Sequence, residues 1–425
     1  MKKPTAENQL GKNIFSLYVL QGTNYLLPLI TLPYLVRVLG PEKYGLIAFT
    51  LAFIGYFTVF VDYGFNLTAT RAISRNRYDH EKVSAIFSTV MLIKLAFMLA
   101  GFILLYVIAG FWPTLGKEWT LASVVYLAVA GNALFPIWFF QGMEDMKTIS
   151  VVSILAKVLV VAGIFLLVHK ESDYILAAGL QASSMLIAGF ISMVIILGKS
   201  RITPVLPGAG QIMAQLREGW HVFTSTAAMT LYSNSNIFIL GLLTNNVSVG
   251  YYSAAEQLVK AVQGLMTPIS QAIYPHISQL VDRSREMALK FIHKAFVRIG
   301  LISFLLSFLL FILSEPLVLV ILGDKFTHSV AILRVLAFIP FLVALSNVLG
   351  IQTMLTFGLK KEFSRIIMMS GVINIALIVP LVELYGETGA ATSVLLTELF
   401  VTALMAYRLD RNGLASAFNG NKQWT

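Results

Sequence analysis

The sequence predicts an all-α integral membrane protein with about twelve transmembrane helices in two parallel six-helix lobes around a central cleft. The first observation behind this is composition: 57% of the 425 residues are hydrophobic and 12% are charged, against roughly 25% charged in a soluble domain. The second is that the apolar residues fall in stretches of about 20, the length at which a helix rising about 1.5 Å per residue crosses a hydrocarbon core roughly 30 Å thick. The third is the lack of alternation in runs such as Leu301–Leu313. A membrane β-barrel would exchange lumen-facing and lipid-facing residues at each position. With no water inside lipid, each backbone amide is satisfied within its own segment, so these runs are helices.

The elements follow in order. Lys2, Lys3 and Lys12 precede the first apolar stretch without a small-residue cleavage site, and are read as a retained cytoplasmic start. In the first half, spans are expected at about 14–36, 44–67, 86–109, 119–140, 150–168 and 174–197. Gly40-Pro41 and Gly45 are expected to make the tight turn between the first two, and Gly142 to end the fourth. A second set is expected at about 220–243, 250–280, 296–314, 329–357, 364–385 and 389–408. An even count places both termini on one side. That side carries 21 Lys and Arg against 5 on the other, which makes it cytoplasmic.

The net charge of +10 is explained by this topology, so nucleic acid is not an expected partner. There is no cysteine, and the six histidines show no zinc spacing, so no disulfide, metal or cofactor is expected. No GxxxxGK[ST] phosphate loop occurs, and the longest stretch outside the spans is about 22 residues. The chain is therefore not expected to be an enzyme.

The longest cytoplasmic linker, Gly198–Gly219, holds Pro204, Pro207, Gly208 and Gly210 near the midpoint, and suggests lobes at 1–205 and 206–425. Three internal matches in sequential order support a duplication. Leu39–Ala48 pairs with Thr244–Ser253, placing Gly45 opposite Gly250; Leu115–Thr120 (LGKEWT) pairs with Leu322–Thr327 (LGDKFT); and Phe140–Lys147 pairs with Thr356–Phe363. Repeats with an even number of spans share one orientation and leave a cleft between them.

The segment Leu32–Arg71 (LPYLVRVLGPEKYGLIAFTLAFIGYFTVFVDYGFNLTATR), with Leu134–Lys147 (LFPIWFFQGMEDMK), resembles the polysaccharide repeat-unit flippases of the Wzx or O-antigen type. Their superfamily also contains multidrug exporters and lipid II flippases. The resemblance implies alternating access, with undecaprenyl-diphosphate-linked oligosaccharide as the cargo moved from cytoplasmic to periplasmic leaflet of a bacterial inner membrane. It also implies a polysaccharide polymerase and a chain-length regulator as partners beside the lipid bilayer.

Charges inside spans cost at least roughly 2.5–3.5 kcal/mol and normally face protein or a wet cavity. Lys94 lies on the order of 12 Å into the third span and Lys157 about 10 Å into the fifth, with Asp62 near the cytoplasmic end of the second. Lys94, Lys157, Lys260 and Arg334, with Asn24, Asn234 and Asn236, are the expected substrate-binding lining of the cleft. Asp62, Glu256 and Glu398 are the ion-coupling candidates, because buried carboxylates carry protons; Glu256 and Lys260, four apart, also form a natural pair. Arg298 sits near its span end and is read as snorkelling. Trp138, Tyr56, Tyr232 and Tyr251 are candidate sugar-facing aromatics, and the basic loop Arg71–Lys82 a surface for anionic lipid. An excess of cations over anions inside the spans favours an anionic cargo. A cation-coupled multidrug exporter or a lipid II flippase on the same scaffold is the alternative. A membrane polymerase would call for a large periplasmic loop, whereas the expected ones hold about 15 residues or fewer.

Overall fold

The structure is a computed structural model that describes residues 6–199 and 202–414, with side chains outside the description at 6–19, 114, 199, 228–229, 231–234, 272 and 275. The described residues form helices and turns, with no strand among them.

Polar residues at the span boundaries start the helices. Asp79 accepts from Lys82 N (3.1 Å) at the start of α3 (His80–Phe111). α1 (Ala6–Asp62) and α2 (Phe65–Asn76) precede it. The region expected as the fourth span is α4 (Trp119–Val125), α5 (Leu127–Leu134) and α6 (Ile137–Gly142). Asp145 then caps α7 (Met146–Leu167) through Thr148 N at 3.2 Å, and α8 (Tyr174–Lys199) follows. In the second half Asn245 caps α10 (Asn246–Arg283) through Ser248 N at 3.0 Å, after α9 (Ala209–Leu243). Ser284 opens α11 (Arg285–Ile312). α12 (Ser329–Leu336), α13 (Ile339–Asn347), a π-helical turn at Val348–Leu355 and α14 (Lys360–Arg411) follow among the described residues. Each cap satisfies an amide that the first helical turn leaves without a partner.

Eight helices among the described residues are long and apolar enough to cross a membrane. Two of them exceed one crossing. α1, at 57 residues, would reach about 86 Å if straight, and α14, at 52 residues, about 78 Å, far beyond a hydrocarbon core of roughly 30 Å. Each is broken by a non-helical glycine, Gly40 (φ 68°) and Gly386 (φ 56°), into lengths that can each span. The outward faces are apolar: Leu99, Ile103 and Tyr106 of α3 are 59%, 63% and 66% exposed. A water-soluble domain rarely leaves so wide an apolar face open. The chain is a multi-pass membrane protein.

By internal contacts the chain divides into two units, one of Met1–Leu39 with Leu46–Asn234, the other of Gly40–Gly45 with Ser235–Thr425. In the first, an aromatic core of Phe65, Phe87, Trp138, Phe139 and Phe140 joins α2, α3 and α6. The linker after α8 is fastened to this unit. Thr203 N and Val205 N donate to Ser84 Oγ and Ser88 Oγ at 3.3 and 3.0 Å, and Ile202 is buried in the same core. Two extended residues and one helical turn both advance about 6 Å, so alternate linker amides meet hydroxyls four residues apart. In the second unit, Gly45 and Gly250 pack closely. A Cβ on Gly45 would stand 1.8 Å from Asn246 O, and one on Gly250 2.1 Å from Pro41 O. The expected turn is therefore made at Gly40, while Gly45 is needed for close approach.

The regions expected as the fourth span of each half are both irregular, by an extended Phe135-Pro136 in one and a π-helical turn at Val348–Leu355 in the other. The first of these regions ends where expected, since Gly142 is the last residue of α6; the left-handed turn beyond it is made by Glu144 (φ 61°), closed by Asp145 N to Phe140 O at 2.8 Å. The equivalent turn uses Gly358 (φ 83°), closed by Leu359 N to Met354 O at 2.8 Å. This register pairs Glu144 with Gly358. Gly142 serves contact instead, because a Cβ there would lie 2.7 Å from Ile73 of α2.

Candidate functional site

The first polar site lies inside the first unit and begins with Lys94, whose side chain is 1% exposed. An ammonium withdrawn from water needs oxygens around it. Three are supplied: Asp62 Oδ1 at 3.2 Å, the Asn132 carbonyl oxygen at 3.1 Å and Asn132 Oδ1 at 3.4 Å. Asp62 is the last residue of α1, where the chain turns through Tyr63 and Gly64 with positive φ. Its second oxygen accepts from Asn66 Nδ2 at 2.7 Å. The Asn132 carbonyl is available for a covalent reason. In an unbroken helix it would accept from the amide of residue 136, and residue 136 is proline, which has none. Lys94 takes that place.

A second site lies nearby in the chain order of the same unit. Lys157 of α7 donates to Asn24 Oδ1 of α1. Both line a cavity of about 170 Å³ with Gln141 of α6, Ser153 of α7 and Ser184 of α8. Phe135 and Ile137, on either side of Pro136, form part of its wall. No carboxylate pairs with Lys157 among the described residues. The site can hold an anion and offer it hydroxyl and amide donors.

In the second unit, Glu256 and Lys260 form the anticipated pair at 2.7 Å, with Lys260 half exposed. Arg334 is directed to Glu315 at 3.2 Å and to Ser314 Oγ at 3.1 Å. Asn236 is buried, with no partner for its Oδ1 among the described residues, and Glu398 is half-buried. The side chains of Asn234 and Tyr232 lie outside the described residues. The structure thus joins Lys94 to Asp62 and Lys157 to Asn24, pairs that sequence reasoning named separately. Trp138 presents no face for a sugar, being fully buried against Phe87 and Phe139.

Asn66, Asn132, Gln141, Ser153 and Ser184 were not anticipated. Two signals pointed to some of them: a proline four residues after Asn132 inside a span, and Ser153 four residues before Lys157 on one helix face.

The basic loop is partly neutralised. Arg77 pairs with Glu144 at 2.5 Å, and the carboxylate it binds holds its guanidinium charged above the ordinary value. The Lys82 amide, followed by its ammonium, holds the Asp79 carboxyl below its usual range.

These features define a class: a multi-pass helical membrane protein with charged groups set inside its helices. Residues 10–281 match the family model described as polysaccharide biosynthesis protein. The chain is 39% identical over 410 residues to a protein of Escherichia coli (strain K12) named as an O-antigen transporter, covering 96% of this chain and 99% of that one. It is 31% identical to a protein of Shigella dysenteriae with the same name, covering 93% and 99%. It therefore belongs to the polysaccharide biosynthesis protein family. Solved structures share the fold at 14% identity. An inward-facing multidrug resistance MATE family transporter has a TM-score of 0.68 over 93% of this chain and 96% of that one, and the lipid II flippase MurJ 0.67 over 96% and 89%.

Proposed function

We propose that this chain is a flippase. It carries undecaprenyl-diphosphate-linked oligosaccharide repeat units from the cytoplasmic to the periplasmic leaflet of a bacterial inner membrane, for O-antigen or a related surface polysaccharide. In this reading twelve spans form six-helix lobes at 1–205 and 206–425, alternate access moves the cargo, and both termini are cytoplasmic. Polymerase and chain-length regulator are the downstream partners. The relatives' names support the cargo class.

The observation that carries the reading is Lys157. At membrane depth it faces a largely apolar cavity that also holds Asn24, Gln141, Ser153 and Ser184, and its one described partner is neutral, so its charge remains for an incoming anion. A unit charge about 4 Å away gains roughly 4 kcal/mol at an effective dielectric of 20, which lowers the cost of bringing a phosphate into the span region. A volume of about 170 Å³ suits phosphate oxygens and excludes a sugar chain, which needs a wider aqueous space. A drug exporter for cations calls for an available carboxylate, and in the first unit Asp62 is already neutralised by Lys94. Lys157, Lys260, Arg334, Asn24, Asn234 and Asn236 remain the proposed contacts for the cargo.

The test is movement of an undecaprenyl-diphosphate oligosaccharide by purified protein in liposomes, read by lectin access to the glycan. Movement above protein-free vesicles is expected, with Lys157→Ala slowing it about tenfold or more and Lys157→Arg retaining most of it. Transport of a cationic dye under an ion gradient, with no movement of the lipid, would replace this reading with the exporter.

A further inference from the structure

Lys94 is the most deeply buried cation described, and its surroundings leave it no face for a cargo. The ammonium is enclosed by Asp62 and by both oxygens of Asn132, and its side chain is 1% exposed. What it does is written in the backbone it touches. Phe135 takes extended angles (φ −92°, ψ 95°) and Pro136 (φ −84°, ψ 68°) leaves the helix, so α5 ends and α6 restarts in a new direction. The residues carried by this break, Phe135 and Ile137, form wall of the Lys157 cavity, and Gln141 follows one turn later.

A carbonyl that has lost its helical donor and is partly withdrawn from water favours any donor within reach. Pro136 removes the helical donor for Asn132, and Lys94 supplies one from α3. A neutral donor would need no counter-charge; an ammonium does, and Asp62 provides it, held in turn by Asn66.

We propose that Lys94 is a positioning residue: it fixes the break at Phe135-Pro136 by capping the orphaned carbonyl of Asn132, and thereby sets the wall of the Lys157 cavity. Asp62 is the counter-ion that lets the cap be buried. This deepens the proposed function, since it assigns the shape of the anion site to a residue that does not touch the cargo.

The test separates the cap from the cavity and needs no substrate. The chain has no cysteine, so Ser153→Cys gives a single thiol on the cavity wall without background removal. Its rate of modification by a small anionic methanethiosulfonate and the melting temperature of purified protein are measured in three backgrounds. Removing the pair together, Asp62→Asn with Lys94→Met, avoids a bare carboxylate and is expected to lower the melting temperature. Adding Pro136→Ala restores an amide for the Asn132 carbonyl, so melting recovers toward wild type. The straightened helix keeps the cavity altered, so the thiol rate stays at least roughly tenfold from the parent. Lys94→Arg, which keeps a charged donor, should retain much of the parent rate.

Failure of Pro136→Ala to recover melting would overturn the capping role. Recovery of melting with an unchanged thiol rate throughout would overturn the positioning role. A protein that behaves as expected here and yet moves no lipid-linked oligosaccharide would count against the flippase reading alone.

Discussion

Glu144 adopts φ 61°, a left-handed conformation that costs a side-chain-bearing residue about 1–2 kcal/mol, and it pairs with Arg77 across an exposed surface. Exposed pairs contribute about 0–1 kcal/mol, so the backbone cost outweighs the pair. Glu144→Gly is therefore expected to be neutral or to raise the melting temperature, and a clear drop would show that the Arg77 contact is stronger than its exposure implies. Neither conformation nor contact was legible in the sequence, which marked Gly142 as the helix end but not Glu144 as the left-handed residue after it. A glycine signals either positive φ or close approach, and only neighbours in space tell which; here Ile73 does. Asp79 gives a pH-dependent case. Its carboxyl is depressed in the folded state, so its contribution is present above the ordinary carboxylate pKa of about 3.9 and is lost as pH falls through the lowered value. Asp79→Asn should lower stability at neutral pH, with the difference from wild type shrinking on acidification below that range.

At the scale of elements, the sequence placed most of the apolar stretches because hydrophobicity and length decide what crosses a bilayer. The helices at the expected spans 220–243 and 250–280 are not among the eight that, among the described residues, are apolar enough to cross. An expected depth for each charge follows from position multiplied by helical rise. Partners were less legible. Whether Lys94 meets Asp62 depends on the rotation of α3 and α1 about their axes, which packing sets, and the sequence of neither helix contains it. Pro136 was visible, but its consequence required knowing which donor stands over Asn132. Close packing makes another prediction. Gly250→Ala improves helix propensity by about 1 kcal/mol, yet its Cβ would meet backbone at 2.1 Å. Overpacking costs typically 1–3 kcal/mol, and backbone cannot swing aside as a side chain can, so the clash wins. The variant should melt lower and yield less folded protein in detergent; unchanged melting would mean the two backbones separate without cost.

For the whole molecule, hydropathy read the class correctly because the bilayer admits so few solutions for a polar backbone. The arrangement of charges around the membrane predicts orientation. Single cysteines introduced at Glu81 and Lys117 should be labelled from opposite sides in intact vesicles, with Glu81 cytoplasmic. Labelling of both from one face would reverse or break the span count between them. Family membership was legible in the glycine-rich turns and span ends of the first 150 residues or so, which build a scaffold and do not identify the cargo.

The six-residue segment Gly40–Gly45 belongs by contact to the same unit as Ser235–Thr425, and this bears on how the protein is made. A ribosome completes that segment some two hundred residues before the rest of its unit exists, so the later helices assemble against a surface already waiting in the membrane. A gene split at the midpoint would separate Gly250 from the backbone it was narrowed to meet. The two fragments should accumulate when produced together, and the C-terminal one should be degraded when produced alone.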